Sequence, residues 1–391
     1  MTLTDISPTT RARWLAVFSV AVGTFTIVTS EMLPVGLLTS IAADLGISDG
    51  TAGLMMTMPG PVAAVAAPVL AVTTRRLDRR ITLLGLMALL AVANLAGALA
   101  PGYPVMLAAR VLTGVSIGGF WAFAAGLGAR LVPQASVGRA TSIILSGVSV
   151  ATVLGVPAST VVSSFAGWRT AFVAVGVLAV ALLAVLAATL PPLPGEEAPA
   201  RHPGSGERRT WLSGPLKLVL VLTVLTISGH FAAYTYVQPF LEQASHAGPA
   251  LISTTLLLYG AAGVVSNFTA GSRAARNPKR VLITRTVLMT MAMAALPLLT
   301  GLPLPLLIVW GLGYGGVGVA LQLWIMREGG GEMGTALFVS AFNLSVAFGA
   351  FAGGRIVDGV SISAVMPAGA ALTLVSAVAA GIWGRSRRTG S

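Results

Sequence analysis

The sequence predicts an all-α membrane protein with twelve transmembrane helices in two pseudo-symmetric six-helix bundles. Three observations carry this expectation. Of 391 residues, 55% are hydrophobic and only 9% are charged, whereas a typical soluble domain carries roughly 25% charged residues. Apolar runs of about 20 residues, the length that crosses a bilayer as a helix, recur from end to end. The polar landmarks of the first half return in the second at a shift of about 200 residues. The chain has no cysteine, which excludes a disulfide scaffold, a thiolate metal site and cysteine chemistry.

The first bundle is predicted to use Trp14–Leu38, Thr51–Val72, Ile81–Leu99, Pro104–Leu127, Ala140–Val162 and Trp168–Leu190. The second uses Leu216–Phe240, Pro249–Ala270, Val281–Leu299, Pro303–Met326, Thr335–Val357 and Ile362–Trp383. Turns rich in Gly, Pro and charge separate them, such as Pro101-Gly102-Tyr103. The first run is too long for a signal peptide and contains Glu31, so it counts as a span. The polar stretch at 191–214, with its Pro, Gly, Glu and Arg residues, reads as a cytoplasmic linker between an N-terminal bundle (1–190) and a C-terminal bundle (215–391).

The formal net charge of +12 raises nucleic acid as a partner. However, the basic residues form short bursts between apolar runs, not one patch or stripe. Of the 24 Lys and Arg, 20 fall on the side of the termini, Arg169 and Arg355 fall opposite, and Arg110 and Arg285 lie within spans. That bias places both termini in the cytoplasm and favours an even number of spans. The expected partners are the lipid bilayer, a small-molecule substrate and protons, with no nucleic acid.

The repeat is carried by three pairs. Arg79-Arg80 after span two matches Lys279-Arg280 after span eight. Arg110, Gly114 and Gly118 of span four align with Trp310, Tyr314 and Gly318 of span ten, and Glu31 falls opposite His230-Phe231. Two parallel repeats suggest a transporter that rocks about a central site. Small residues permit close helix approach where hydrophobic drive is weak, and Gly147 and Gly155 of span five have this character. Gly155-Val156-Pro157 also predicts a bend, because Pro removes a helix hydrogen bond.

An ionisable group inside a bilayer is costly and usually functional. Glu31 is the one acid well inside a span of the first half, and Pro34 and Gly36 follow it and loosen the helix. It reads as a proton-exchanging carboxylate or as a structural one neutralised by Arg110. Arg110, which keeps its charge, either biases that proton site or caps backbone carbonyls and ties spans together. His230, with Tyr234 one turn on, is a candidate for a substrate cavity, as are the mid-span groups Trp121, Gln322 and Asn343. Metal chemistry is not encoded: His202, His230 and His246 are dispersed, with no HExxH pattern. No phosphate-binding GxxxxGK[ST] loop and no G-x-S-x-G elbow occur, so neither an enzyme nor a cofactor is expected.

These landmarks resemble the major facilitator superfamily over nearly the whole chain. Within it, they look most like the twelve-span drug:proton antiporters, the bacterial sugar (arabinose) efflux branch and the nearby chloramphenicol-resistance-type exporters. The residues that carry the resemblance are Thr29 to Leu38 in span one, Arg110, Gly114 and Gly118 in span four, and Gly147, Gly155, Val156 and Pro157 in span five. They continue with Gly167-Trp168-Arg169 and Phe172 at span six, His230 to Tyr236 with Pro239-Phe240 in span seven, and Ala336-Leu337-Phe338 with Phe342-Asn343 in span eleven. The resemblance implies alternating access, proton antiport, export, sugar efflux or drug resistance, a cell-membrane location and a monomer. It makes Glu31 the protonatable group and Arg110 its assistant, with Trp121, His230, Tyr234 and Asn343 around the substrate. It gives Arg76, Asp78, Arg79, Arg80, Gly147, Gly155 and Pro157 gating and structural roles.

The chain departs from the superfamily pattern after span two. Ala71 stands for the first Gly, Arg75 for the acid and Asp78 for the second Gly, which leaves Asp78 as the acid available to a gate there. Ala158-Ser159 replaces the glycines usual at the tail of the span-five motif. A proton-independent facilitator of the same fold remains the alternative. A channel has no need of paired repeats with loosened helices, and a membrane enzyme lacks a catalytic constellation.

Overall fold

The computed structural model describes residues 10–195, 214–328 and 331–384, with the side chains of 10–12, 125, 272 and 331–333 left aside. Most of the expected linker, with Arg201, His202, Arg208 and Arg209, lies outside the described residues. Every regular element among the described residues is helical. Among the described residues, eleven helices are long and apolar enough to cross a membrane: Arg13–Gly36, Asp49–Thr73, Arg79–Ala98, Tyr103–Ala124, Gln134–Ala166, Trp168–Thr189, Gly214–Gln243, Pro249–Gly271, Pro303–Arg327, Gly334–Gly359 and Ile362–Trp383. These are spans one to eight and ten to twelve. Span nine is Pro278–Ala295, whose apolar character is diluted by Lys279, Arg280 and Arg285. Its C-terminal end falls short of the expected Leu299 because Pro297 has no amide with which to continue the helix.

Four spans are broken among the described residues. Span two runs as Asp49–Ala52, Leu54–Thr57 and Pro59–Thr73, and Pro59 has no amide for the Met55 carbonyl. The α-helix of span one ends at Met32 and tightens to a 3-10 turn at Leu33–Gly36, as Pro34 and Gly36 led us to expect. Span seven stops at Tyr234 and resumes at Val237–Gln243, because Pro239 offers no amide to the Thr235 carbonyl. Span ten was expected to run unbroken but is two helices, Pro303–Tyr314 and Val317–Arg327. Span five, by contrast, runs as helix from Val137 to Ala166 straight through Pro157.

The two halves pack alike. Span one lies on spans five and six, span two on span four, and span three on spans four and six. In the same order, span seven lies on spans eleven and twelve, span eight on span ten, and span nine on spans ten and twelve. Small residues allow this closeness. A Cβ at Gly147 would run into the Ala21 carbonyl of span one, and one at Gly349 would run into the Ser228 carbonyl of span seven. Large apolar side chains such as Phe165, 87% exposed, and Phe268, 74% exposed, cover the outer faces of the spans. In water that would be costly, whereas in hydrocarbon it is not.

The halves meet along two seams, span two against span eleven and span five against span eight. At the end opposite the termini the first seam is closed by hydrogen bonds. Ser48 Oγ and the Gly50 amide donate to the two oxygens of Asp358 at 2.7 and 3.0 Å. Gln243 Nε2 donates to Asp49 Oδ2 at 2.7 Å. The Tyr236 hydroxyl donates to the Ala350 carbonyl at 2.8 Å, in a gap that a Cβ at Gly53 or Gly354 would fill. Nearby, Arg169 Nη1 and Asp44 Oδ2 form the one ion pair among the described residues, at 2.5 Å. Hydrogen bonding from Arg169 holds the Asp44 carboxyl below its ordinary range.

Candidate functional site

Arg110 of span four is 1% exposed and makes no ion pair among the described residues. Its fork reaches three carbonyls. Nη1 donates to Ser30 O at 2.8 Å, Nη2 to Glu31 O at 2.9 Å and Nε to Met55 O at 3.0 Å. In a regular helix Ser30 O and Met55 O would receive the amides of residues 34 and 59. Both positions are proline, so those carbonyls lack their regular amide donors and are open to a side chain. Of the two roles open to Arg110, capping carbonyls is the one its hydrogen bonds perform. The adjacent Ser30 is fastened a second way, by Asn94 Nδ2 of span three at 2.9 Å.

Glu31 sits on the last turn before the span-one break, half-buried. Its carboxylate has no hydrogen bond or ion pair among the described residues. It lies within electrostatic reach of Arg110 and, across the molecule, of Tyr314 in span ten. The arginine that holds its backbone in place therefore leaves its side chain unneutralised by direct contact.

Opposite stands an aromatic cluster from three spans. His230 of span seven is fully buried. Its ring stacks on Tyr314 at 3.6 Å and 6°, and on Tyr234 at 5.1 Å and 18°. Trp310 Nε1 donates to His230 Nδ1 at 3.1 Å. That nitrogen is thus the acceptor, and the ring proton belongs on Nε2, which faces the Tyr259 hydroxyl at 3.4 Å. His230 is accordingly a fixed backing for Tyr314, set behind it and away from any surface. The half-buried Tyr314 and the hydroxyl of Tyr234 have no hydrogen-bond partner among the described residues. The two halves use matched positions for this purpose: Arg110 fastens span four to Ser30, and Trp310 fastens span ten to His230.

The remaining expected residues fall in several places. Gln322 is half-buried on the second segment of span ten, without a side-chain hydrogen bond among the described residues. Asn343 lies at the seam between halves, its carbonyl 2.8 Å from where a Cβ on Gly60 would stand, and its amide nitrogen donates to Val339 O. Trp121 is not part of the aromatic cluster. It meets Phe120 edge-on at 6.2 Å and packs with the core of the first half. Asp78 Oδ1 accepts from the amides of Arg80 and Leu193 at 2.8 and 2.9 Å, which caps span three and pins the chain after span six. Arg79 lies over the Phe123 ring and donates to Thr74 O, Arg80 donates to Ala187 O, and Arg76 is exposed. Gly155 faces Thr29 of span one, and Thr160, one turn past Gly155-Val156-Pro157, bonds the Gly36 carbonyl at 3.2 Å. Tyr259 is not among the residues that the sequence singles out, and there Trp310 and Tyr314 figure as repeat landmarks. Their spacing of four on one helix face, like that of His230 and Tyr234, was the available signal.

The sequence profile of the Major Facilitator Superfamily matches residues 20–339. A protein of Pseudomonas aeruginosa named "Transcription regulatory protein OpdE" is 35% identical over 97% of this chain and 96% of its own length. A "Probable sugar efflux transporter" of Mannheimia succiniciproducens is 28% identical over 94% of this chain and 93% of its own. Among solved structures, a point mutant of the nucleoside transporter NupG superposes with a TM-score of 0.76 at 14% identity over 95% of this chain and 99% of its own. A bacterial homolog of the human lysosomal transporter Spinster, inward-facing and unoccupied, gives 0.71 at 13% identity over 96% of each chain.

Proposed function

The chain belongs to the major facilitator superfamily, and from that premise we propose that it exports small molecules in exchange for protons by alternating access. Family and fold make it a multi-span membrane transporter. The observation that carries the proton reading is Glu31: a half-buried carboxylate beside a helix break, with its backbone clamped and its side chain unpaired. A carboxyl so placed can cross the apolar interior protonated and release its proton where water reaches it. Arg110 holds it there through the carbonyls of span one.

The two bundles, 1–190 and 215–391 about the 191–214 linker, would rock about the seams of spans two and eleven and of spans five and eight. The 20-to-2 charge bias supports cytoplasmic termini in a bacterial inner membrane. On the solute side, the open face of Tyr314, the hydroxyl of Tyr234 and the amides of Gln322 and Asn343 suit a neutral amphipathic or polyhydroxylated molecule, with no ring of charge for an ion. The named activity of the Mannheimia relative favours a sugar over a chloramphenicol-type drug. An effect on transcription, the property named for the Pseudomonas relative, would follow here from the solute moved, since the described residues form spans and short connections.

One proton moving through 100 mV supplies about 2.3 kcal/mol, enough for roughly fifty-fold accumulation at 1.4 kcal/mol per factor of ten. The test is purified protein in vesicles with an imposed pH gradient and a panel of labelled monosaccharides and chloramphenicol. Accumulation above the outside concentration, abolished by a protonophore, is expected for one of them. Equilibration without accumulation would establish the facilitator instead.

A further inference from the structure

Arg285 of span nine has no part in the transport reading. Its guanidinium meets no carboxylate among the described residues. Nη1 donates to the Leu312 carbonyl of span ten at 2.9 Å, and Nη2 to Thr269 Oγ1 of span eight at 3.1 Å. Ser266 Oγ donates to the same Leu312 carbonyl at 2.5 Å. That carbonyl is open to side chains because span ten stops at Tyr314 and restarts at Val317. In a continuous helix it would receive the amide of Gly316. Span eight packs closely against the break. A Cβ at Gly315 would run into the Gly263 carbonyl of span eight, and one at Gly316 would press on Ala270 and stand 3.3 Å from Arg285 Nε. Tyr314 is the last residue before the break, and its ring is the one laid flat on His230.

We propose that Arg285 is a positioning residue for Tyr314: by filling the carbonyl freed at the span-ten break, it fixes the backbone from which that ring is laid against His230. A planar fork can hold Leu312 and Thr269 at once, which a single ammonium cannot do with the same geometry. Arg110 acts in the same way at the break beside Glu31, so each bundle uses one intramembrane arginine to stabilise a discontinuity next to a cavity residue. That Tyr314 meets solute rests on the transporter reading; its placement by Arg285 does not.

The test uses the full chain in lipid nanodiscs with 3-fluorotyrosine at position 314 and, separately, at Tyr103 of the other bundle. Stacked over imidazole, the label at 314 gives one shielded fluorine resonance. In Arg285→Gln that resonance should move downfield or broaden, and in Arg285→Lys, which also serves should the first variant fail to fold, it should split into two. The Tyr103 resonance should stay in place in both. An unshifted 314 resonance in either variant, or equal movement of both reporters, would overturn the proposal. Absence of pH-driven accumulation by the wild type, with the 314 resonance moving in both variants, would sink the transport reading and leave this one standing.

Discussion

Removing Arg110 exposes its role most sharply, because two of its three acceptors have no replacement donor. In Arg110→Met the carbonyls of Ser30, Glu31 and Met55 lose bonds of 2.8, 2.9 and 3.0 Å. An unsatisfied buried group costs about 1–3 kcal/mol, while partners found in the unfolded membrane state reduce such values toward about 0.6 kcal/mol. Across three carbonyls the expected loss is about 2–5 kcal/mol. Arg110→Lys keeps the charge but not the fork, and should lose about half of that. The diagnostic is Pro34→Ala, which returns an amide opposite Ser30 O. It should recover about 1 kcal/mol more in the Arg110→Met background than in wild type. The assay is equilibrium unfolding in SDS–detergent mixed micelles, run as a double-mutant cycle. Equal effects of Pro34→Ala in both backgrounds, or an Arg110→Lys variant as stable as wild type, would show that charge and not carbonyl geometry is what Arg110 supplies.

Asp358→Asn removes the carboxylate that receives Ser48 and Gly50; maleimide labelling of a cysteine placed at Asn343, half-buried on the seam, should then accelerate from the side opposite the termini, and an unchanged rate would contradict the closure described. Gly147→Ala drives a Cβ into the Ala21 carbonyl and should cost about 1–3 kcal/mol in the same unfolding assay, whereas Gly126→Ala, which meets nothing within 4 Å, should cost less. The depressed Asp44 carboxyl makes a bridge present above the ordinary carboxylate range near pH 4 and lost as pH falls through its lower folded value. Asp44→Asn should therefore slightly reduce stability at pH 7, with the difference shrinking as pH falls below the ordinary carboxylate range; being exposed, the pair contributes little at any pH.

The order of spans was legible because bilayer thickness dictates apolar length, and the span-one break was legible because Pro34 and Gly36 are local causes. The span-ten break was not. Gly315-Gly316 is an ordinary pair for a membrane helix, and the close approach of Gly263 from span eight at that point is a tertiary fact. Arg110 was visible as an unusual residue, and so were Pro34 and Pro59. Which carbonyls met the guanidinium was a tertiary fact, and it selected carbonyl capping over direct neutralisation of Glu31. Trp121 and His230 show the same limit. An amphipathic ring on a helix declares that it needs a partner, but not which: His230 is fully buried among aromatic rings, and Trp121 is partly buried against the core of the first half.

Proton coupling is tested most directly at Glu31. In vesicles with the pH gradient imposed, Glu31→Gln should exchange a labelled solute that wild type concentrates, at a comparable rate when solute is present on both sides, yet fail to accumulate it above the outside level. Uphill transport by Glu31→Gln equal to wild type under the same gradient would contradict the assignment of that carboxylate as the proton carrier.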